Sequence, residues 1–495
     1  MSKEECCSCP GLGALCQRLF YRSKETESEE QQKASSQKVS NLPRSSASSG
    51  EIYTALWPFS ARAQDELSFQ PGEYFHICER VGDWWTAAKL DKNGVVTSKG
   101  FVPHNYLVRR KTAKEQPWYF GTLNRFETQD LLLAPGNNIG SFLVRHSEKD
   151  NIGRVLSVLI GDREVKHIKI HQNQTGQFYL EQSVMFPSLE KLLEHYKNYS
   201  LNAGLCLTQP CIRQEPKPQD LSHKTVDDWE LPKEEFTLEE ELGKGFFADV
   251  YRGKWKGMVN VAIKILKNNE SLNHREFLME TQILKKLRHR HLITLFAVCT
   301  SSTPFYIITE LMENGNLLNF LRGKEGRELE AQVLIEMATQ VADGMAYLEE
   351  QNSIHRDLAA RNVLVGLNYL CKVADFGLAR IVKEPIYSSE DKKIPYKWSA
   401  PEAISHGMFS NKSDVWSYGV LLYEMFSYGG VPYPAVSNHE VFNMIMSGYR
   451  MPAPPQCPHQ VYELMGMCWR ESAEERPDFS TLFSLLENFG TEYME

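Results

Sequence analysis

The chain of 495 residues is 42% hydrophobic and 24% charged, with a formal net charge of −8 at pH 7. This length predicts about three domains, and the hydrophobic content is sufficient for several packed cores. The acidic balance, without a long basic run, argues against a nucleic-acid-binding surface. No stretch approaches the roughly 18 apolar residues of a membrane span, and the polar, cysteine-rich first residues lack the apolar core of a secretory signal. We therefore expect a multidomain cytoplasmic protein with reduced cysteines, with the nucleus or the membrane periphery as further locations.

Residues 1–50 are rich in Ser, Glu, Gln and Lys, a composition that predicts disorder. Ser2 stands where N-myristoylation requires a glycine. Four cysteines lie close to apolar and basic residues, and they are either ordinary free thiols or sites of reversible acylation that would bring the chain to a membrane. These are Cys6, Cys7, Cys9 and Cys16.

Residues 51–111 carry short apolar runs separated by Gly, Asp and Asn turns, which predicts a small β-barrel. The segments at 55–59, 65–69, 83–85 and 100–106 together resemble an SH3 domain. The resemblance implies a groove for a polyproline II helix, with Glu66 pairing with a basic residue of the ligand. The other groove residues would be Trp57, Phe59, Trp84, Pro103 and Tyr106. The alternative is that these rings belong to the core, and Trp57 and Phe59 stand where the family usually has tyrosines.

Residues 118–211 contain the run Phe-Leu-Val-Arg that ends at Arg145. The arginine alternates with apolar residues of a buried strand, and a buried guanidinium requires an anion such as phosphate, which it binds through two parallel hydrogen bonds. The motif resembles that of SH2 domains. The resemblance implies a phosphotyrosine pocket formed by Arg125, Arg145, Ser147, His167 and Lys169. A structural salt bridge at Arg145 is the alternative.

Residues 212–235 are predicted to be a linker. The run at 214–219, which includes Pro216 and Pro218, has the composition of a short polyproline II segment. It predicts either docking on the SH3 groove of the same chain or a plain spacer stiffened by proline. The Asp-Trp-Glu run at 228–230 resembles the tryptophan junction of Src-like enzymes.

The most informative motif lies at 355–362 and reads His-Arg-Asp-Leu-Ala-Ala-Arg-Asn. In this pattern Asp357 accepts the proton of a substrate hydroxyl, and Asn362 holds a metal ion that bridges ATP phosphates. Its partner motifs occur in the expected order: a glycine-rich loop at 243–250, Val-Ala-Ile-Lys at 261–264, Asp-Phe-Gly at 375–377 and Ala-Pro-Glu at 400–402. Each run alone is also met in ordinary turns, strands and helix caps, but their ordered occurrence predicts a protein kinase domain.

The resemblance to protein kinases extends over residues 236–489 and implies a role for each motif residue. Lys264 would contact the α- and β-phosphates and pair with Glu280 of the following helix. Asp375 and Asn362 would hold Mg²⁺, with Mn²⁺ as an alternative, and Arg361 would steady the catalytic loop. ATP would contact residues of the glycine-rich loop, the strands and the segment between the lobes: Leu242, Gly243, Lys244, Gly245, Val250, Ala262, Thr309, Glu310, Met312 and Leu364.

Two segments favour tyrosine as the phosphate acceptor. The run Ala-Ala-Arg at 359–361 resembles the tyrosine-kinase form of the catalytic loop, whereas serine/threonine kinases usually carry a lysine two residues after the aspartate. The segment 394–398 resembles the tyrosine-kinase platform for a substrate tyrosine.

The domain order resembles that of Src-related non-receptor protein tyrosine kinases, most of all the breast tumour kinase (Brk) branch. The resemblance implies an all-β SH3 barrel, an α+β SH2 domain and a bilobal α+β kinase domain. The implied partners are tyrosine-containing proteins, phosphotyrosine peptides and proline-rich ligands, with no nucleic acid.

Two tyrosines are predicted phosphorylation sites. Tyr387 lies in the activation segment, where Arg356 and Arg380 would pair with its phosphate. Tyr493 lies in a tail at 490–495 and is either a frayed end or, as in Src relatives, a phosphorylated ligand for the SH2 domain of its own chain.

One residue departs from the kinase pattern, because Ala248 replaces the third glycine of the loop. We expect its methyl group to crowd the backbone or to strain a position that needs positive φ. A catalytically impaired phosphotyrosine adaptor is therefore the alternative to an active enzyme.

Overall fold

The computed structural model describes residues 51–110, 112, 115–147, 153–161, 164–201, 205–216, 219–226, 229–244, 248–267, 281–375, 380–381, 387–388 and 395–492. The four N-terminal cysteines, Gly245, Glu280 and Tyr493 lie outside these ranges, so the predictions for them stay predictions. Within the ranges, no helix is long and apolar enough to cross a membrane.

Short antiparallel strands form the first domain, in the sheet order β4-β3-β2-β1-β5. They are β1 (Ile52–Ala55), β2 (Tyr74–Val81), β3 (Trp84–Leu90), β4 (Val96–Pro103) and β5 (Leu107–Arg109). Successive side chains of a strand lie on opposite faces, and the inward positions Phe75, Ala87 and Val102 are fully buried. The domain is the all-β barrel that the sequence predicts.

The second domain packs helices on a sheet in the order β6-β7-β8-β9. Its elements are β6 (Tyr119–Leu123), α1 (Arg125–Leu133), β7 (Phe142–Ser147), β8 (Arg154–Leu159), β9 (Val165–Lys169), β10 (His171–Gln172), β11 (Phe178–Tyr179) and α2 (Leu189–Asn198). Alternate residues of β7 face different helices: Leu143 packs with Leu132 of α1, and Phe142 packs with Leu192 of α2. Because side chains alternate along a strand, Arg145 shares the α1 face with Leu143.

The small lobe of the kinase domain is an antiparallel sheet in the order β12-β13-β14-β16-β15. Its strands are β12 (Phe236–Lys244), β13 (Ala248–Trp255), β14 (Val259–Leu266), β15 (Leu295–Cys299) and β16 (Tyr306–Glu310). Val261 and Ile263 of β14 are fully buried, so the alternating Lys264 lies on the opposite face of its strand.

The large lobe is mainly helical. Its helices are α3 (Leu317–Arg322), α4 (Lys324–Arg327), α5 (Ala331–Glu350), α6 (Pro401–His406), α7 (Asn411–Phe426), α8 (Asn438–Met446), α9 (His459–Cys468) and α10 (Phe479–Glu492). Its short strands are β17 (Ser353–Ile354), β18 (Val363–Val365), β19 (Cys371–Val373), β20 (Arg380–Ile381), β21 (Tyr387–Ser388) and β22 (Met408–Phe409). The hairpin β18–β19 follows the loop that carries Asp357 and leads to Asp375. The three domain classes that the sequence predicts are thereby confirmed.

Candidate active site

Two acidic side chains of helix α7 fix the backbone of the catalytic loop. The buried Asp414 carboxylate accepts the N–H groups of His355 at 2.8 Å and Arg356 at 2.9 Å, and Glu424 accepts the N–H of Ala360 at 2.9 Å. Arg356 has a φ of 70°, a conformation that non-glycine residues seldom adopt. Burial raises the pKa of Asp414 to about 6 and also raises the pKa of Glu424. The loop is therefore shaped by hydrogen bonds from a helix some 60 residues downstream.

Both carboxylate oxygens of Asp357 are engaged by neighbouring side chains. Arg361 donates to Oδ1, and the Nδ2 of Asn362 donates to Oδ2 at 2.8 Å and to the backbone carbonyl of Asp357 at 2.7 Å. Burial raises the pKa of Asp357, while the positive charge of Arg361 opposes that rise. A carboxylate that is held in a fixed orientation and has a raised proton affinity is suited to act as a general base.

A cleft of about 1030 Å³ lies between the two lobes, next to the catalytic loop. Most of the predicted nucleotide and catalytic residues line it: Leu242, Gly243, Val250, Ala262, Lys264, Thr309, Glu310, Met312, Arg361, Asn362, Leu364 and Asp375. Apolar side chains of both lobes thus face one space that can hold a flat aromatic base. Sequence reasoning did not identify Leu311, Gly315 and Asn316, which also line the cleft and belong to no motif.

The polar end of the cleft brings together Lys264, Asn362 and Asp375. The Nζ of Lys264 lies 3.5 Å from Oδ1 of Asp375. Because the Nδ2 of Asn362 is committed to Asp357, the amide oxygen of Asn362 is the atom left to act as a ligand. One amide oxygen and one carboxylate suit Mg²⁺, which takes its remaining ligands from water and phosphate. Within the described ranges, no group of three or more His, Cys, Asp or Glu side chains could hold a metal ion.

The structure bears on two predictions for the glycine-rich loop. The side chain of Lys244 is 68% exposed, pairs with Glu241 at 2.9 Å and is not among the residues that line the cleft, so its contact with ATP stays a prediction. Ala248 begins strand β13 opposite Leu266, and it is not one of the non-glycine residues with positive φ in the described part of the chain. Its methyl group therefore causes no left-handed strain, which removes that support for the adaptor alternative, whereas the predicted crowding of the backbone stays a prediction.

The phosphotyrosine residues predicted in the second domain gather on the α1 face of its sheet. Arg145 is buried, with 5% of its surface exposed, and its Nη1 donates to the carbonyl of Leu123 at 2.8 Å. On the paired strands, Ser157 bonds the ring of His167 at 2.8 Å. Burial and the charges of Arg125 and Arg145 lower the pKa of His167 to about 3. Two arginines close to a neutral imidazole form an electropositive pocket suited to a phosphate dianion.

Lys169 and Ser147 lie at the edge of this pocket. Lys169 is the exposed last residue of β9 and pairs in register with Val155, which in turn pairs with Arg145. Ser147 is buried at the end of β7, two residues beyond Arg145 and on the same face. Arg125 begins α1 after the capping residue Asn124, so the helix start places it beside the sheet.

The groove of the first domain is occupied by the linker of the same chain. The Tyr106 hydroxyl donates to Oε1 of Glu215 and to the carbonyl of Pro216, each at 3.2 Å. Gln219 and Asp220 of the linker line a small pocket of the groove together with Phe59, Trp84 and Pro103. Trp57 completes this aromatic surface with its ring 6.2 Å from that of Tyr106. The sequence left open whether the linker docks on the SH3 groove or is a plain spacer, and in the structure the linker is docked.

Glu66 has a different role from the predicted one. It is 6% exposed and accepts backbone N–H groups, from Arg62 at 2.7 Å and from His223 of the linker at 2.9 Å. The basic side chains of the linker lie near Asp65 instead, where His223 and Lys224 approach to 3.6 and 3.8 Å. Sequence reasoning could not separate the two carboxylates, because only the turn at 62–66 directs Glu66 inward.

The first two domains and the linker all contact a short basic segment of the kinase domain, residues 288–290. Arg288 makes a bidentate ion pair with Asp220 of the linker, at 2.7 and 3.2 Å, and lies 3.8 Å from Asp83 of the first domain. Arg290 pairs with Glu127 of the second domain. The side chain of Asp220 is only 2% exposed. No motif marked these residues, because their partners are distant in sequence.

Residues 54–104, 118–196 and 236–486 match the families described as SH3 domain, SH2 domain, and Protein tyrosine and serine/threonine kinase. Together with the interlobe cleft, these matches define a protein kinase that carries an SH3 and an SH2 domain. Two curated relatives are both named Protein-tyrosine kinase 6. The mouse protein is 48% identical over 433 residues, which cover 88% of this chain and 95% of the mouse protein. The human protein is 49% identical over 448 residues, which cover 90% of this chain and 98% of the human protein. The chain belongs to the family of these non-receptor protein tyrosine kinases, which confirms the predicted resemblance.

Membership of this family implies the use of ATP and of a divalent metal ion. The kinase, SH2 and SH3 domains imply three classes of partner: tyrosine-containing substrates, phosphotyrosine peptides and proline-rich ligands.

Proposed function

We propose that Asp357 is the base that accepts the tyrosine hydroxyl proton as the γ-phosphoryl group of ATP is transferred to a protein tyrosine. The observation that carries this proposal is the hydrogen bonding of Asp357 by Arg361 and Asn362, which fixes the carboxylate beside two residues that line the cleft. Lys264, at the polar end of the same cleft, would hold the phosphates in line with the hydroxyl.

The metal would be Mg²⁺, with Mn²⁺ as a substitute, held by Asp375 and Asn362. It would neutralise the charge that develops on the phosphate oxygens. Asp375 also has its carboxylate 3.5 Å from the Nζ of Lys264, so the same aspartate would contact both the lysine and the metal.

Docking of the linker on the SH3 groove would hold the kinase in a less active form. The support is the continuous set of contacts from Tyr106 through Asp220 to Arg288, which ties the SH3 domain to the small lobe. The backbone of the linker is also held at Arg62, which donates to the carbonyls of Asp220 and Leu221 at 3.2 Å. A proline-rich ligand that displaces the linker would break this connection.

The SH2 pocket would bind the phosphorylated tail. Burial lowers the pKa of Arg125, and the negative charges of Glu336 on α5 and Glu487 on α10 oppose this decrease. The pocket that contains Arg125 therefore lies near the last helix of the kinase domain. Tyr493 follows Glu487 of this helix by six residues in the sequence. A phosphotyrosine tethered to the SH2 domain of its own chain binds at a high effective concentration, so even a weak ligand would suffice.

Phosphorylation of Tyr387 would activate the enzyme. The backbone of β21 places Tyr387 opposite Phe409 of β22, and the guanidinium of Arg356 lies 4.4 Å from the Phe409 ring centroid. A phosphate on this segment would therefore lie close to a cation that the catalytic loop itself carries. The side chains of Tyr387 and Arg380 lie outside the described set, so the predicted pairing with Arg380 stays a prediction.

The test is phosphoamino-acid analysis of a glutamate–tyrosine copolymer and of a mixed protein substrate, each labelled by the purified full-length chain. The proposed function predicts phosphotyrosine alone, with either Mg²⁺ or Mn²⁺. Phosphoserine or phosphothreonine as the main product would contradict the tyrosine specificity. No labelled product with either metal would instead support the phosphotyrosine adaptor.

A further inference from the structure

Trp398 is held at a fixed position against the catalytic loop. It ends a short turn at Tyr396–Trp398, and its carbonyl accepts a hydrogen bond from the Ser417 hydroxyl at 2.7 Å. Its indole Nε1 donates to Oε2 of Glu424 at 3.0 Å. Glu424 is 1% exposed, and the same oxygen accepts the N–H of Ala360 at 2.9 Å. One buried carboxylate thus aligns the indole ring with the backbone of the catalytic loop.

The face of this indole ring carries the guanidinium of Arg361, with its central carbon 4.5 Å from the ring centroid. A guanidinium stacked on an aromatic face is attracted by the π-electrons and loses rotational freedom. The same guanidinium donates to Oδ1 of Asp357. The connection runs without interruption from Glu424 through Trp398 and Arg361 to Asp357.

We propose that Trp398 is a positioning residue for the phosphoryl transfer, which acts by holding Arg361 in the orientation that aims the Asp357 carboxylate at the tyrosine hydroxyl. The inference rests on the proposed role of Asp357 as the base. It assigns Trp398 to the chemical step and not to ATP binding, since Trp398 is not among the residues that line the cleft in the described structure.

The geometry of this connection predicts the signature of this role. Arg361 donates to Oδ1 of Asp357, and Asn362 donates to Oδ2 at 2.8 Å, so a displaced Arg361 removes the hydrogen bond at Oδ1. A base that is less well aligned contributes less to the proton transfer. Because Trp398 is not among the residues that line the cleft in the described structure, kcat should fall while the KM for ATP stays close to that of the wild type.

The variants are Trp398→Leu, which removes both the ring face and the N–H donor, and Trp398→Phe, which keeps a ring but loses the bond to Glu424. The matched control is Trp255→Phe in the small lobe. The indole of Trp255 also donates to a carboxylate, Glu235 at 2.7 Å, and also carries a cation, the Lys256 ammonium 4.6 Å from the ring centroid. The control therefore removes an equivalent set of contacts away from the catalytic loop.

The measurement is kcat together with the KM for ATP, with folding monitored by thermal denaturation. We expect Trp398→Leu to lower kcat about tenfold and Trp398→Phe about threefold, since loss of an aligned base reduces a contribution of about 10²–10⁴. The KM for ATP should stay within about twofold in both. The control should keep the wild-type kcat. Adding Trp398→Leu to Arg361→Ala should change kcat no further than Arg361→Ala alone, because the two act in one connection.

A wild-type kcat in folded Trp398→Leu or Trp398→Phe overturns the inference and leaves the proposed function intact. An equal fall of kcat in Trp255→Phe overturns it as well, because the effect is then general to indole–carboxylate contacts. If Trp398→Leu does not fold, the kcat of Trp398→Phe alone decides. A wild-type chain that transfers no phosphate overturns the proposed function and this inference together.

Discussion

Neutralising the buried linker aspartate should release the SH3 domain. The substitution is Asp220→Asn, which keeps the size of the side chain but removes the charge that Arg288 binds through two hydrogen bonds. In the undocked linker Asp220 is free in water, so the substitution weakens only the docked form. The kinase core itself is untouched, because Asp220 belongs to the linker.

The exposure of the two partners sets the size of the effect. The Asp220 side chain is 2% exposed, whereas that of Arg288 is 34% exposed and remains partly screened by water. Breaking a fully buried pair costs about 3–5 kcal/mol, and an exposed pair contributes about 0–1 kcal/mol. For this intermediate pair we expect about 1.5–3 kcal/mol. Since about 1.4 kcal/mol corresponds to a factor of ten, the ratio of docked to undocked linker should fall about 10- to 100-fold.

The assay is the apparent Kd of a labelled proline-rich peptide for the full-length unphosphorylated chain, measured with its basal kinase activity. The apparent Kd varies inversely with the fraction of molecules whose linker is undocked from the SH3 groove. The Asp220→Asn variant should therefore bind the peptide about tenfold more tightly and should have higher basal activity. The control is Lys224→Gln, which removes a linker charge that is 61% exposed and 3.8 Å from its partner, and it should change little. Equal peptide affinity in the wild type, Asp220→Asn and the control would refute the reasoning.

Three further predictions concern phosphorylation and the large lobe. Tyr387→Phe should lower the maximal activity several-fold relative to fully phosphorylated wild type, and equal activities would contradict a role for this tyrosine. Arg145→Ala should abolish binding of phosphotyrosine peptides, and both Arg145→Ala and Tyr493→Phe should raise basal activity. Combining the two substitutions should raise it little beyond either one alone, and strictly additive effects would exclude a shared contact. The fully buried side chain of Arg476 donates two hydrogen bonds to the carboxylate of Glu402, at 2.6 and 2.9 Å. Glu402→Gln removes that negative charge and should destabilise the kinase domain by about 3–5 kcal/mol; an unchanged melting temperature would contradict this.

The sequence predicts those parts of the site that are built from contiguous motifs. Asp357, Arg361 and Asn362 lie within six residues of one another, so their spacing alone indicates that they act together. Most of the cleft residues were also predictable, because they lie on strands or segments that a motif identifies, whereas Leu311, Gly315 and Asn316 belong to no motif. The same holds for Arg145, whose alternation with apolar neighbours marks a buried cation.

The parts that the sequence does not predict are contacts between distant segments. Asp414 and Glu424 shape the catalytic loop from helix α7, yet in sequence they are only two acidic residues within an apolar helix. A buried carboxylate in such a helix was the available signal, because a buried charge needs a partner. Ala248 is a case in which the sequence predicted a feature that the structure lacks. An alanine in place of a motif glycine is strained only if the backbone has positive φ at that position, and the backbone at Ala248 does not have positive φ.

The most direct test of the central claim is the rate of phosphoryl transfer by Asp357→Asn, with ATP binding measured separately by a fluorescent nucleotide. Asparagine keeps the size and the hydrogen-bonding oxygen of the side chain but cannot accept the proton. The account predicts that kcat falls at least about 100-fold, while the affinity for ATP stays within about threefold, because Asp357 is not among the cleft-lining residues. A variant that retains more than about a tenth of the wild-type kcat would contradict the assignment of Asp357 as the base.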